Sequence, residues 1–157
     1  MSIVSTVQWL TSTSLSQLIQ STHGAIAGIQ IVHLVSLSAL FASALVLALR
    51  VTGRGLVDES TALMAGRFVP AIWICVALLF VSGVLLIVAE PFRTITNKIF
   101  YPKMILLVAA IALTTCLSSI ARRSPEHPAP ARVRVIAISS MLVWVAIMFA
   151  GRFIAYT

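Results

Sequence analysis

Charge is scarce in this chain. Only 10% of its 157 residues are charged, and four of those are Asp or Glu. A water-soluble domain usually carries about 25% charged residues, so a soluble globular protein is excluded. Cysteine is also rare: Cys75 and Cys116 both lie inside apolar runs. No Cys-x-x-Cys or zinc-type spacing exists, which removes a structural zinc site or a dithiol redox centre. No His-Glu-x-x-His or serine–histidine arrangement is present, so a proteolytic enzyme is not indicated. There is no internal repeat or low-complexity segment, unlike most transporters. The first 22 residues have no basic leader and no compact apolar core, so they do not read as a secretory signal.

What the chain has in quantity is apolar surface. Hydrophobic residues make up 60% of it, and its mean hydropathy is +1.07. The net charge of +7 would suggest nucleic acid in a soluble protein. Here the basic residues sit at the ends of apolar runs, where they set topology and meet lipid headgroups, and no nucleic-acid partner is expected.

The longest run, residues 25–49, is interrupted only by Gln30, His33 and a few serines and glycines. At about 1.5 Å per residue it is long enough to cross a hydrocarbon core of about 30 Å. Further spans are expected over 68–89, 103–121 and 135–154, with Pro70 placed in the first turn of the second. Before them, residues 6–21 carry Val7, Leu10, Leu15, Leu18 and Ile19 at helical spacing opposite a Ser/Thr/Gln face. That pattern predicts a short interfacial helix, with Trp9 at headgroup level. Gly53-Arg54-Gly55 marks a turn, Asp58 to Gly66 a brief interfacial helix closed by Arg67, and the proline-rich stretch Ser124 to Ala131 a stiff loop. The expected fold is therefore a single all-α integral membrane domain, an antiparallel bundle of four transmembrane helices.

Arginine and lysine orient it. Arg50, Arg54, Arg67, Arg122, Arg123, Arg132 and Arg134 fall on one side. Arg93, Lys98, Lys103 and Arg152 fall on the other. The richer side should be cytoplasmic, leaving both termini periplasmic in a bacterial inner membrane. This topology gathers His33, Glu90, Arg93, Asn97, Tyr101, Lys103, Met104, Met148 and Arg152 in the outer half.

His33 is the one histidine expected at membrane depth, since His23 sits at the interface and His127 in the proline loop. Ionisable groups at that depth are costly and tend to be functional. An imidazole facing a bundle interior suits axial ligation of haem iron. Lys103 and Arg152, then Arg93, are placed to neutralise haem propionates. No second buried histidine exists, so Met148 or Met104 would supply sulfur, or the iron would stay five-coordinate. Other readings stand beside this one. From the residues alone His33 reads first as a neutral histidine satisfied by a serine or carbonyl of a neighbouring helix, and also as part of a copper or quinone site. Lys103 and Arg152 also read as cations snorkelling to headgroups, Glu90 as a span cap or a partner of Arg93, and the two cysteines as buried, inert thiols.

The segments IVHLVSLSALFASALVLALRVTG, RFVPAIWICVALLFVSGVLLIVAEPF and NKIFYPKMILLVAAIAL add a resemblance. With His33, Arg50-x-x-Gly53, Gly83 and Asn97-x-x-x-x-x-Lys103, they resemble an uncharacterised bacterial family of small four-helix membrane proteins. Such families often carry an Asp before the arginine, where this chain has Ala48 and Leu49. More remotely, the order His, Gly, Lys is similar to the copper-resistance-D-like superfamily, including the HemJ-type protoporphyrinogen oxidases. That likeness implies His33 as a ligand of haem b and Lys103 as its functional partner. No tyrosine- or histidine-rich tail follows the first span, so the oxidase activity is not carried over. The expectation is a small redox protein of the inner membrane, with His33, Lys103, Arg152, Arg93 and Met148 as site residues. It would exchange electrons with a periplasmic dehydrogenase or the quinone pool. Two alternatives are an accessory subunit within a larger membrane complex or homo-oligomer, and copper handling through His33, Met104 and Met148.

Overall fold

The computed structural model describes residues 3–55, 60–123 and 130–156. Among them the chain is wholly helical: α1 (Ile3–Thr11), α2 (Ser14–Ser21), α3 (Ala25–Val51), α4 (Thr61–Ala89), α5 (Pro91–Ile95), α6 (Phe100–Arg123) and α7 (Ala131–Tyr156). The four long helices are each long and apolar enough to cross a membrane. This is an all-α, four-span bundle, as expected of a multi-pass membrane protein with lipid around it. His127 and the carboxylates Asp58, Glu59 and Glu126 lie outside the described residues, as does most of the proline-rich loop.

The single interfacial helix expected over 6–21 is instead two helices, and side-chain competition explains the break. Ser12 Oγ donates to the Trp9 carbonyl at 2.7 Å, and Thr13 Oγ1 to that of Leu10 at 2.7 Å. Thr13 has extended backbone and accepts from the Ser16 amide, so it ends one helix and caps the next. Val7, Ser16 and Ile19 are buried, while Trp9, Leu15 and Leu18 are exposed. Gln20 Nε2 donates to the Ala89 carbonyl at 2.8 Å. That carbonyl belongs to the last turn of α4 and has no partner within its own helix. The contact ties α2 to the end of the bundle where α3 begins.

The turn after α3 is fixed by a left-handed residue. Gly53 has φ +70°, its amide donates to the Arg50 carbonyl at 3.1 Å, and the Arg54 amide reaches back to Leu49 at 3.0 Å. This paired closure favours glycine, because a Cβ crowds the carbonyl at that φ. Gly53→Ala is expected to cost about 1–2 kcal/mol, read as a lowered midpoint in detergent-mediated unfolding.

Three spans start earlier than the apolar pattern indicates. Helix α4 begins at Thr61 rather than 68, because Ser60 caps it by accepting from the Leu63 amide at 3.1 Å. Arg67 is therefore inside the helix, and Pro70 lies beyond the first turn. Helix α7 begins at Ala131 rather than 135, with the Pro130 carbonyl accepting from the Val133 and Arg134 amides. Helix α6 runs from Phe100 rather than 103. Asn97 Oδ1 accepts from the Ile99 amide at 2.9 Å, an Asx turn that leads the chain into it.

Helix α3 packs most extensively on α4, and α6 on α7; α4–α6 and α3–α7 contacts close the bundle. The buried core is unevenly distributed. Leu40, Ala44 and Leu47 of α3, Ala65, Val69 and Ile72 of α4, Ala110, Leu117 and Ala121 of α6, and Val133, Ala137 and Trp144 of α7 form one cluster. All lie in the middle of the bundle or toward its arginine-rich end. Alanines there let the backbones approach closely. Trp144 Nε1 donates to Thr114 Oγ1 at 3.0 Å, a buried bond joining α7 to α6. Toward the opposite end the packing thins. Before Leu40, α3 buries only Ser36; beyond Ile72, α4 buries only Ser82 and Ala89; α6 buries nothing before Ala110.

Candidate functional site

His33 stands in that loosely packed end, about 12 Å along α3 from Ala25 by helical rise. Its ring crosses to α4, where Nδ1 lies 2.8 Å from Ser82 Oγ. The Ser82 hydroxyl also lies 2.6 Å from the Leu78 carbonyl. A carbonyl can only accept, and a serine has one proton, so the proton points at Leu78 and the oxygen accepts from His33. The imidazole then carries its hydrogen on Nδ1, and Nε2 keeps its lone pair. A hydrogen bond at one ring nitrogen fixing the ligating capacity of the other is how metal-binding histidines are prepared. It also matches the plainer expectation of a histidine satisfied by a serine, because the two readings differ only at Nε2.

Gly83 gives the ring its space. A Cβ built there would meet His33 Cε1 at 3.5 Å, in ordinary contact, so any longer side chain would compete with the imidazole. Ser82 and Gly83 thus act on one ring, through its edge and its flank.

Lys103 enters from α6, in its first turn. Its Nζ lies against α7, where a Cβ built at Gly151 would meet it at 3.5 Å. The side chain is half-buried and close enough to His33 for an electrostatic interaction. Among the described residues, no carboxylate pairs with this ammonium. The four spans therefore each supply a part: His33 from α3, Ser82 and Gly83 from α4, Lys103 from α6, and Gly151 from α7.

The other expected site residues are placed more loosely. Met148 is half-buried on α7, one turn before Gly151. Arg152 follows Gly151, is exposed, and has an interaction of its own. Arg93 lies on α5, exposed, with its Nη1 3.1 Å from Glu90 Oε2, the pairing foreseen for Glu90. Met104 is exposed on α6 beside Lys103. The structure sets His33 and Lys103 within electrostatic range of each other, places Met148 and Arg152 on either side of the glycine that Lys103 packs against, and pairs Arg93 with Glu90. Cys75 is half-buried, but Cys116 is exposed rather than buried, because it falls on the outward face of α6. No three His, Cys, Asp or Glu side chains gather as a metal site among the described residues.

Ser82 and Gly151 escaped the reading of the sequence. Ser82 had a signal: it is a polar residue within an apolar span, directly before Gly83. Gly151 had none beyond being a small residue next to Arg152.

The family model described as "Family of unknown function (DUF6644)" matches residues 7–157. No curated protein and no solved structure matches the chain.

Proposed function

The chain belongs to this family of unknown function, DUF6644, and from that premise we propose a small inner-membrane redox protein that binds a b-type haem at His33. One observation carries the reading. An imidazole with its Nδ1–H committed to Ser82, and an ammonium with no carboxylate partner among the described residues, share the end of the bundle where the core thins. A ligand suited to both must offer a Lewis-acidic centre to Nε2 and an anionic arm to Lys103. Haem b has an iron and two propionates, and when bound it supplies a one-electron couple.

The roles follow from the chemistry of each side chain. His33 Nε2 would hold the iron. Ser82 holds the tautomer and the ring plane, and Gly83 leaves the ring its place. Lys103 pairs with a propionate through a charge-assisted bond, with Arg152 and then Arg93 next in reach of the surface. Met148, half-buried on α7 one turn before Gly151, would be the thioether available as a second ligand. The arginine-rich end faces the cytoplasm, so the site faces the periplasm, as do both termini. Electrons pass there to or from a protein partner or the quinone pool.

The reduced-minus-oxidised absorption spectrum of the purified protein tests this. A Soret band that sharpens on reduction is the expected result. A featureless spectrum, with fixed proteins co-purifying, would favour an accessory subunit. Stoichiometric copper without haem would favour a metal-handling role for His33, Met104 and Met148. Ser82→Ala is expected to weaken haem retention about 10–100-fold while leaving the helical content unchanged. That is the usual range for losing a partner behind a metal ligand, and haem titration into the apoprotein would measure it.

A further inference from the structure

The arginine-rich end holds a second feature. A groove of about 250 Å³ opens between α4 and α6, lined by Val69, Trp73, Thr115, Ser118, Ser119 and Arg122. The Thr115 and Ser119 hydroxyls are already committed. Thr115 donates to the Ile111 carbonyl at 2.7 Å, and Ser119 to the Thr115 carbonyl at 2.9 Å. Ser118 differs: it is only 4% exposed, and its Oγ has no hydrogen-bond partner among the described residues. A buried hydroxyl left unpaired is costly, more so where no water competes. One helical turn further on, Arg122 stands on the same face of α6.

A fixed positive charge at the membrane boundary, an unspent O–H donor one turn deeper and an indole wall below them suit a phosphodiester with acyl chains. The local field favours a lipid of net negative charge. Seven arginines flank this end, against Asp58, Glu59 and Glu126 as the only acidic residues of its loops. We propose that the α4–α6 groove holds the headgroup of an anionic phospholipid. Its phosphate accepts from Arg122 and from Ser118, and an acyl chain runs past Trp73. This site is independent of His33 and lies in the other half of the bundle.

Native mass spectrometry of the full chain in detergent, with phosphatidylglycerol or phosphatidylcholine added, tests the assignment. The wild type is expected to retain one phosphatidylglycerol per chain in preference to phosphatidylcholine. Arg122→Gln should lower that retention roughly fivefold, about the weight of one basic residue near a charged lipid. Ser118→Ala should lower it too, whereas Arg123→Gln should not. Circular dichroism of each variant confirms that it is folded. Equal retention of the two lipids, equal losses from Arg122→Gln and Arg123→Gln, or displacement of the lipid by inorganic phosphate would each overturn the proposal.

Discussion

His33→Ala is expected to abolish the haem spectrum of the purified protein, while Lys103→Leu retains the band with weakened binding. The asymmetry follows from what each group supplies. No other histidine lies within the spans, since His23 precedes α3 and His127 follows α6. Alanine at 33 would therefore remove the proposed nitrogen ligand, and a lone thioether from Met148 would not replace it. Removing the ammonium would leave the proposed iron ligand and its Ser82 partner in place. What is lost is one charge-assisted bond, worth about 1.5–3 kcal/mol, or roughly 10–100-fold in affinity. If His33→Ala leaves the spectrum intact, the ligand is elsewhere. If Lys103→Leu abolishes it while the protein stays folded, the ammonium does more than balance charge.

Gly83→Val gives an independent arm. The wall against His33 Cε1 already stands at contact distance for a Cβ, so a branched side chain must push the ring away from Ser82. Loss of haem without loss of the four-helix fold would separate ring position from bundle stability.

Trp144→Ala should be among the most destabilising single changes in the chain. Trp144 is 1% exposed and is the largest fully buried side chain in the molecule's described part. Its ring packs within the α3–α4–α6–α7 cluster, and its indole N–H meets Thr114. In a bilayer the freed surface meets lipid rather than water, so the loss is chiefly of close packing. A cost of about 3 kcal/mol is expected, at the low end for emptying a tryptophan site. Trp144→Phe keeps most of the contacts and loses the Thr114 bond, which is worth about 0.6 kcal/mol between membrane helices. Unfolding in mixed micelles should resolve the two. A Phe variant as unstable as the Ala variant would shift the weight from packing to the hydrogen bond.

The four spans were legible because lipid-facing and core-facing residues are both apolar, and runs of about 20 stand out against loops. Their ends were less so. Ser60 and Pro130 start α4 and α7 before Arg67 and Arg134, and hydropathy does not register helix on the far side of such a charge. Ser12 and Thr13 broke the N-terminal helix through hydrogen bonds to their own backbone, an effect the apolar periodicity of 6–21 does not carry. At the site, His33 and Lys103 were visible as ionisable groups in apolar surroundings. The pairing of His33 with Ser82 was not, because one serine among many reveals its partner only when α3 and α4 are set in register. Arg93 was placed in the outer half by depth, and its bond to Glu90 comes from their three-residue spacing at the head of α5.

The most direct test of the central claim is the amount of haem per chain in wild-type protein purified from cells supplied with a haem precursor, measured as the pyridine haemochrome. Close to one haem b per chain is expected, falling to background in His33→Ala and intermediate in Ser82→Ala. Background haem in the wild type, or equal haem in all three, would contradict the claim and leave His33 as a half-buried histidine that only joins α3 to α4.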